Sequence, residues 1–381
     1  MLADEKMKEA YIRDHLAELE TLVEELCRIP APSGRERARA EFCKAWLEAH
    51  GAGNVRLDGA DNAVLELNGV GSDSLTVFMA HTDTVFPDAE PMPFRREGGR
   101  MLCPGVGDDT ANLAVLLMAA RFLLRQGISP KNGMVIAANS GEEGLGNLRG
   151  CRQLMEDYRG RVARMISFDG YYGGLWNKAV GSARYRVTVR TAGGHSFRDF
   201  GAPNAIALLA RLISALYTIR PAWGPAGTVT TYNVGTVEGG TSVNTVAQEA
   251  SMLWEYRSDE PEGLRGMEGA FFSAVEDFRA KGAEIEVTPL GLRPCGEGVD
   301  PTAQKALSDW SEALLRKHTG GEIVVEPAST DCNIPLSLGI PAVSFGLCHG
   351  GGAHTREEWI ETASLETGLQ IALDALLYFS E

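Results

Sequence analysis

His81 and Asp83 stand at the close of the apolar run Val77-Phe78-Met79-Ala80. Three more acidic groups occupy comparable places: Asp108 with Asp109, Glu142 with Glu143, and Asp169. A second histidine, His354, lies in the Gly-rich stretch Gly350-Gly351-Gly352-Ala353-His354-Thr355. Carboxylates at the ends of buried strands are hard to explain by solubility. Imidazole together with hard oxygen donors is the ligand mix of first-row divalent cations. Jointly these residues point to a two-cation centre that activates water for hydrolysis.

Each group also has an ordinary reading. Asp83 is near enough to accept a hydrogen bond from the His81 ring, which would fix the tautomer and strengthen the ligand; a core histidine beside a turn aspartate is the alternative. Asp108 and Asp109 follow Cys103-Pro104-Gly105-Val106-Gly107 and precede a helix, where paired acids often only cap. A carboxylate there can instead bridge two cations. Glu142 and Glu143 follow the strand-like Val135-Ile136-Ala137-Ala138 and repel each other unless a cation or proton intervenes. In a metal site one of them binds while the other moves the proton of the attacking water. Asp169, after Met165-Ile166-Ser167-Phe168, is otherwise a turn residue, and His349 competes with His354. His195, in Gly193-Gly194-His195-Ser196, is either a donor to a developing oxyanion or a plain loop histidine. Asn244 and Arg257 either hold a substrate's carboxylate or backbone or are surface polar groups. Neither a Gly-x-Ser-x-Gly elbow nor a Walker loop occurs.

The elements that must position these residues follow from periodicity. Helices are expected over residues 8–27 and, after a turn at Ile29-Pro30-Ala31-Pro32-Ser33-Gly34, up to about His50, with Ser33 as N-cap. Buried strands are expected at Val64–Leu67, Leu75–Ala80, Gly133–Ala138 and Arg164–Phe168, with an apolar helix at Asn112–Gln126 between them. This alternation predicts an α/β domain with a largely parallel sheet. The pattern changes near Gly181. Strands at Ala183–Arg190, Thr228–Val237, Glu249–Arg257 and Glu284–Pro289, with helices at Pro203–Tyr217 and Pro261–Lys281, give the order βαββαβ of a ferredoxin-like unit. Beyond it, a helix at Thr302–His318 and strands at Ile323–Val325 and Ala342–Phe345 return to the first domain. The expected division is 1–182 and 292–381 for the catalytic domain and 183–291 for the insertion.

The 381 residues are 44% hydrophobic and 23% charged, with a net charge of −15. Such an acidic chain is poorly suited to nucleic acid or an anionic membrane. No apolar run approaches the roughly 20 residues of a membrane span, and the start lacks a signal-peptide core. Seven cysteines without CxxC pairs read as reduced thiols of a cytoplasmic protein.

From Ile29-Pro30-Ala31-Pro32-Ser33-Gly34 nearly to the C-terminus, the sequence resembles the zinc-dependent exopeptidase and deacylase family of peptidase T, glutamate carboxypeptidase, acetylornithine deacetylase and succinyl-diaminopimelate desuccinylase. The most specific parts are His81-Thr82-Asp83, Gly107-Asp108-Asp109, Gly141-Glu142-Glu143-Gly144, Gly194-His195-Ser196, Glu238-Gly239-Gly240-Thr241 and Ala353-His354. The resemblance implies a three-layer α/β catalytic domain with a mostly parallel mixed sheet and an inserted ferredoxin-like α+β lid and dimerisation domain. It implies two Zn2+ (Co2+ or Mn2+ in their place), with His81 and Asp169 on one, Glu143 and His354 on the other, and Asp108 bridging. Asp83 would orient His81 and Glu142 would be the general base and acid. His195 would serve a partner subunit of a homodimer, and the Asp108–Asp109 peptide would be cis. The substrate would be a small peptide or an N-acyl amino acid.

There are departures. Thr110-Ala111-Asn112 stands where the family often has Lys-Gly-Gly or Lys-Ala-Gly, and Glu326-Pro327-Ala328-Ser329-Thr330-Asp331 lacks peptidase T's arginine. Asp169 is aspartate where the carboxypeptidases and deacylases usually have glutamate, which tilts the expectation to an aminopeptidase of di- and tripeptides. Carboxypeptidase or deacylase action uses the same site. A non-enzymatic metal- or peptide-holding protein would leave Glu142 without a purpose.

Overall fold

Leu75–His81 is buried at all seven positions, the signature of a strand covered on both faces. Its side chains alternate between two cores: Phe78 and Ala80 face one, Val77 and Met79 the other. Met134–Asn139 is likewise buried throughout and pairs parallel with it on one side, and Val162–Phe168 pairs parallel on the other. In the computed structural model, which describes residues 5–381, these strands belong to an eight-stranded mixed sheet. Its order is Val55–Leu57, Ala63–Leu67, Met134–Asn139, Leu75–His81, Val162–Phe168, Ala342–Phe345, Gly174–Ala179, Val324–Ala328.

Helices cover the sheet as two outer layers. Ala111–Gln126 buries every residue from Ala111 to Leu123, so its apolar surface runs all the way round, as a helix enclosed by others requires. It shares one core with Glu5–Cys27 and Ser364–Tyr378. Arg149–Asp157 and Asn333–Ser337 share the opposite core. Each fully buried Leu or Phe in these layers contributes about 1.5–3 kcal/mol.

The chain divides into two compact units: Met1–Ala179 with Glu297–Glu381, and Val180–Gly296. The second has four antiparallel strands in the order Thr230–Gly239, Glu249–Ser258, Gly181–Arg190, Glu284–Arg293. With helices Ala205–Leu216 and Pro261–Ala280 this is the ferredoxin-like arrangement. Asn204 caps the first helix by accepting the Ala207 N–H. Tyr185, Trp254, Tyr256 and Phe271 stack in its core.

Several expectations need correction. Ser33 does not cap: the second helix is Arg37–Ala49, its N-cap is Glu36, and no side chain caps it. The Ser33 hydroxyl is bonded elsewhere, as described below. Gly174–Ala179 is a strand that periodicity did not reveal, because it is only half buried and carries Asn177 and Lys178. Val324–Ala328 runs on through Pro327, which an edge strand tolerates. A small sheet of Gly350–Gly351, Trp359–Glu361, Arg100–Leu102 and Arg95–Glu97 was also unforeseen. All seven cysteines are free and buried, and no helix among the described residues is long and apolar enough to cross a membrane. Residues 1–4 lie outside the described part, and the helix expected over residues 8–27 is found as Glu5–Cys27.

One polar knot ties the ends of the first unit together. Asp374 accepts from Lys8, Lys317 and His318. Burial alone would push its carboxyl up, but these donors hold it well below the usual carboxylate range. A depressed folded-state pKa adds stability that is present above the unfolded value, near about 4, and is lost as pH falls further. Asp374→Asn should therefore cost about 1–3 kcal/mol at pH 7, with the gap narrowing below about pH 4. Urea denaturation of both proteins at pH 7 and at acid pH measures it; an equal gap at both would contradict this account.

Candidate metal centre

Four parallel strands lie side by side with their carboxyl ends together: Met134–Asn139, Leu75–His81, Val162–Phe168 and Ala342–Phe345. Their ends deliver, in that order, the Ser140–Glu143 turn, His81, Asp169, and the loop that leads to His354. Asp108 enters from the segment before the Ala111–Gln126 helix, and the Asp108–Asp109 peptide is cis.

These residues converge. Asp108 Oδ1 lies 3.0 Å from His81 Nε2, and Oδ2 lies 3.2 Å from His354 Nε2. Asp169 Oδ1 is 3.9 Å from His81 Nε2, and Glu143 Oε1 is 3.3 Å from His354 Nε2. Two groups of potential ligand atoms therefore share Asp108: His81–Asp108–Asp169 and Asp108–Glu143–His354. Glu142 is buried and joins His81 and Glu143 in a third such group. His349, the competitor, instead pairs with Glu361 at 3.3 Å.

The His81 ring is oriented from behind. Its Nδ1–H donates to the Asp83 backbone carbonyl at 3.1 Å and its Nε2–H donates to Asp108 Oδ1 at 3.0 Å, so both ring nitrogens are engaged and the plane of the imidazole is fixed. The Asp83 carboxylate stands farther from Nδ1, at 3.5 Å. It accepts the backbone N–H groups of Glu142 and Glu143, at 3.0 and 2.9 Å, and the Ser33 hydroxyl at 2.7 Å. Asp83 thus fixes the two glutamates as well as the histidine.

Charge balance supports a cation site. Burial would raise Asp108, but hydrogen bonds from His354 and His81 hold it well below the usual range. Its bonds to Asp108 and Glu143 push His354 up to about 10. Burial, with Asp108 and Glu142 nearby, pushes Glu143 up to about 7, and burial together with Asp108 raises Asp169. Acids driven toward protonation beside imidazoles driven toward protonation are a cluster balanced only by protons. Divalent cations would displace those protons and satisfy the same oxygens. Glu143 Oε1, buried without a well-aligned hydrogen bond, is one oxygen in want of such a partner.

The other three candidates lie in the second unit. His195 Nδ1 accepts the Phe197 N–H at 3.2 Å, which leaves the neutral ring's proton on Nε2 as a free donor. Its own N–H donates to Asp199 Oδ2. Asn244 is exposed and accepts from the Ser242 hydroxyl at 2.8 Å. Arg257 is engaged by Glu255 through Nε and Nη2, at 2.8 and 3.0 Å, and Glu255 also holds Arg184.

Sequence reasoning missed the residues that hold the centre through backbone atoms. The buried Glu358 carboxylate accepts the N–H groups of Gly105, Gly107 and Asp108, at 2.6, 2.8 and 2.8 Å, and so fixes the turn that carries Asp108. Arg39, buried, donates to the carbonyls of Thr82 and Ile29 and braces the His81–Asp83 segment. Asn112 bonds three loops. An acid next to a strand was the only signal for Glu358; nothing in the spacing marked Arg39 or Asn112.

A model of peptidase family M20/M25/M40 matches residues 77–378. The chain is 27% identical over 355 residues to the succinyl-diaminopimelate desuccinylase of Corynebacterium glutamicum, covering 91% of this chain and 92% of that one. To carboxypeptidase G2 of Pseudomonas sp. strain RS-16 it is 23% identical over 326 residues, covering 82% and 75%. The crystal structure of a tripeptidase from Staphylococcus aureus subsp. aureus mu50 has the same fold, with a TM-score of 0.76 at 22% identity over 96% of this chain and 98% of that one.

Replacing Glu358 by Gln would turn an amide N–H2 toward backbone N–H groups. We expect Glu358→Gln to cost about 1–3 kcal/mol and to speed amide exchange across Gly105–Asp108. Urea denaturation with hydrogen exchange by mass spectrometry reads both, and unchanged exchange in that turn would remove the bracing role.

Proposed function

We propose that this chain, which belongs to peptidase family M20/M25/M40 and is a metal-dependent amide hydrolase, is an exopeptidase that removes amino-terminal residues from di- and tripeptides. The observation that carries this reading is the division of the Asp108 carboxylate, with one oxygen toward His81 and the other toward His354. We read His81 and Asp169 as ligands of one zinc ion, Glu143 and His354 as ligands of a second, and Asp108 as the bridge. Cobalt or manganese would suit the same donors. When bound, such a pair supplies Lewis acidity to the scissile carbonyl and acidifies the attacking water.

The chain's own residues do the rest. Glu142 takes a proton from the water as it attacks the carbonyl carbon, and returns that proton to the amine as the carbon–nitrogen bond breaks. Asp83 keeps His81 oriented and holds the Glu142 and Glu143 backbones. His195, with its proton on Nε2, donates to the developing oxyanion. In this reading His195 comes from the second copy of a homodimer formed through the smaller unit. Asn244 and Arg257 hold the substrate backbone. Free thiols at all seven cysteines suit a cytoplasmic setting.

Aspartate at position 169 favours the aminopeptidase reading. A second reading, removal of an acyl group from an N-acyl amino acid, is favoured by the desuccinylase relative at 27% identity.

Glu142→Gln should lower kcat by roughly 10²–10⁴-fold while zinc content, measured by mass spectrometry, stays at the wild-type level. Metal retained with turnover unchanged would take proton transfer away from Glu142. Separately, chelation should abolish hydrolysis and zinc, cobalt or manganese should restore it. On a panel of free dipeptides, tripeptides, and N-acetyl and N-succinyl amino acids, faster turnover of the N-acyl compounds would replace the peptidase reading by the deacylase one.

A further inference from the structure

We propose that Asn112 is a positioning residue for one half of the centre, the His81–Asp108–Asp169 half, so that the two cation sites differ in what holds them. The inference rests on the two-cation reading above. Asn112 is fully buried. Its amide nitrogen donates to Asp109 Oδ1 at 2.5 Å, to the Gly170 carbonyl at 2.8 Å and to the Gly107 carbonyl at 3.2 Å. Its oxygen accepts the Leu347 N–H at 2.6 Å. Three acceptors on one side and a donor on the other fix the orientation of the amide, since the flipped form would set oxygen against oxygen.

Each of the three donated bonds ends one step from a member of the same group. Gly107 precedes Asp108 and Gly170 follows Asp169. Asp109, through its other oxygen, accepts the His81 backbone N–H at 2.8 Å. None of them reaches Glu143, which is held through the Asp83 carboxylate and Ser33. The Leu347 bond anchors the amide itself. His354 lies beyond Gly350–Gly351, which is fixed separately by pairing with Trp359–Glu361. Asn112 therefore stands behind the His81–Asp108–Asp169 group, of which only Asp108 is shared, whereas Asp83, with Ser33, stands behind His81 and Glu143 alike. Removing a support of this kind typically weakens metal binding about 10–100-fold.

The test titrates metal-free protein with Co2+, followed by visible absorption and by calorimetry, which report binding without turnover. Wild type should take up two equivalents. Asn112→Ala should weaken one of them about 10–100-fold and the other much less, since only Asp108 is common to both, whereas Ser33→Ala, which acts through Asp83, should weaken the two alike. Equal weakening of both equivalents by Asn112→Ala, or no weakening, would overturn the proposal. Uptake of fewer than two equivalents by wild type would instead remove the two-cation reading on which it rests. Should Asn112→Ala not fold, the wild-type protein still decides: the Leu347 amide should exchange as slowly as the central strand amides, and rapid exchange would show that the Asn112 amide is not anchored and overturn the proposal.

Discussion

Charge is the constraint on which the rest of this structure depends. Asp83, Asp108, Asp109, Glu142, Glu143 and Asp169 crowd against two imidazoles. A buried carboxylate without a partner costs several kcal/mol, so such a cluster is tolerable only if protons or cations neutralise it. The surrounding framework is built to keep the acids close in spite of their repulsion. Asp83 grips the Glu142–Glu143 turn, Glu358 grips the turn before Asp108, and Arg39 braces the segment after His81. Removing any of these would let the acids spread and relieve the repulsion. The rigidity of the framework is what makes the cluster a site.

The α/β frame was legible because each central strand is a short apolar run ending abruptly at a polar residue. Val77-Phe78-Met79-Ala80 ending at His81 and Met165-Ile166-Ser167-Phe168 ending at Asp169 are buried strands, and both ends enter the cluster. The alternation at Ala183–Arg190 likewise signalled a half-buried sheet, apart from Thr188, which is buried. What escaped were elements with little burial, such as Arg95–Glu97 and Gly174–Ala179, whose pairing depends on partners distant in sequence. The supports of the site escaped for a related reason. Glu358 and Asn112 act largely on backbone N–H and C=O groups, and these leave no mark on residue type or spacing. Ser33 shows the ambiguity well: a serine before a helix looks like a cap, yet its hydroxyl serves a buried aspartate.

The second unit carries the remaining three candidates, His195, Asn244 and Arg257. Its fold places them on different kinds of support. His195 is held in one tautomer by the backbone that follows it, and Arg257 is already satisfied by a neighbouring glutamate. A substrate carboxylate that engages Arg257 must compete with Glu255, whereas the Nδ1-anchored ring of His195 meets no such competitor among the described residues. The two residues therefore differ in how prepared they are.

The order of strands in the large sheet bears on how the molecule is made. Ala342–Phe345 lies between Val162–Phe168 and Gly174–Ala179, two strands that are neighbours along the chain but not in the sheet. During synthesis from the N-terminus, that gap stays open until the chain has been made as far as Phe345. His354, which follows the late strand, arrives at the same stage. A growing chain on the ribosome can thus bring His81, Asp108 and Asp169 together while still lacking the other imidazole, and the acidic cluster gains its second histidine only once the middle of the sheet has closed.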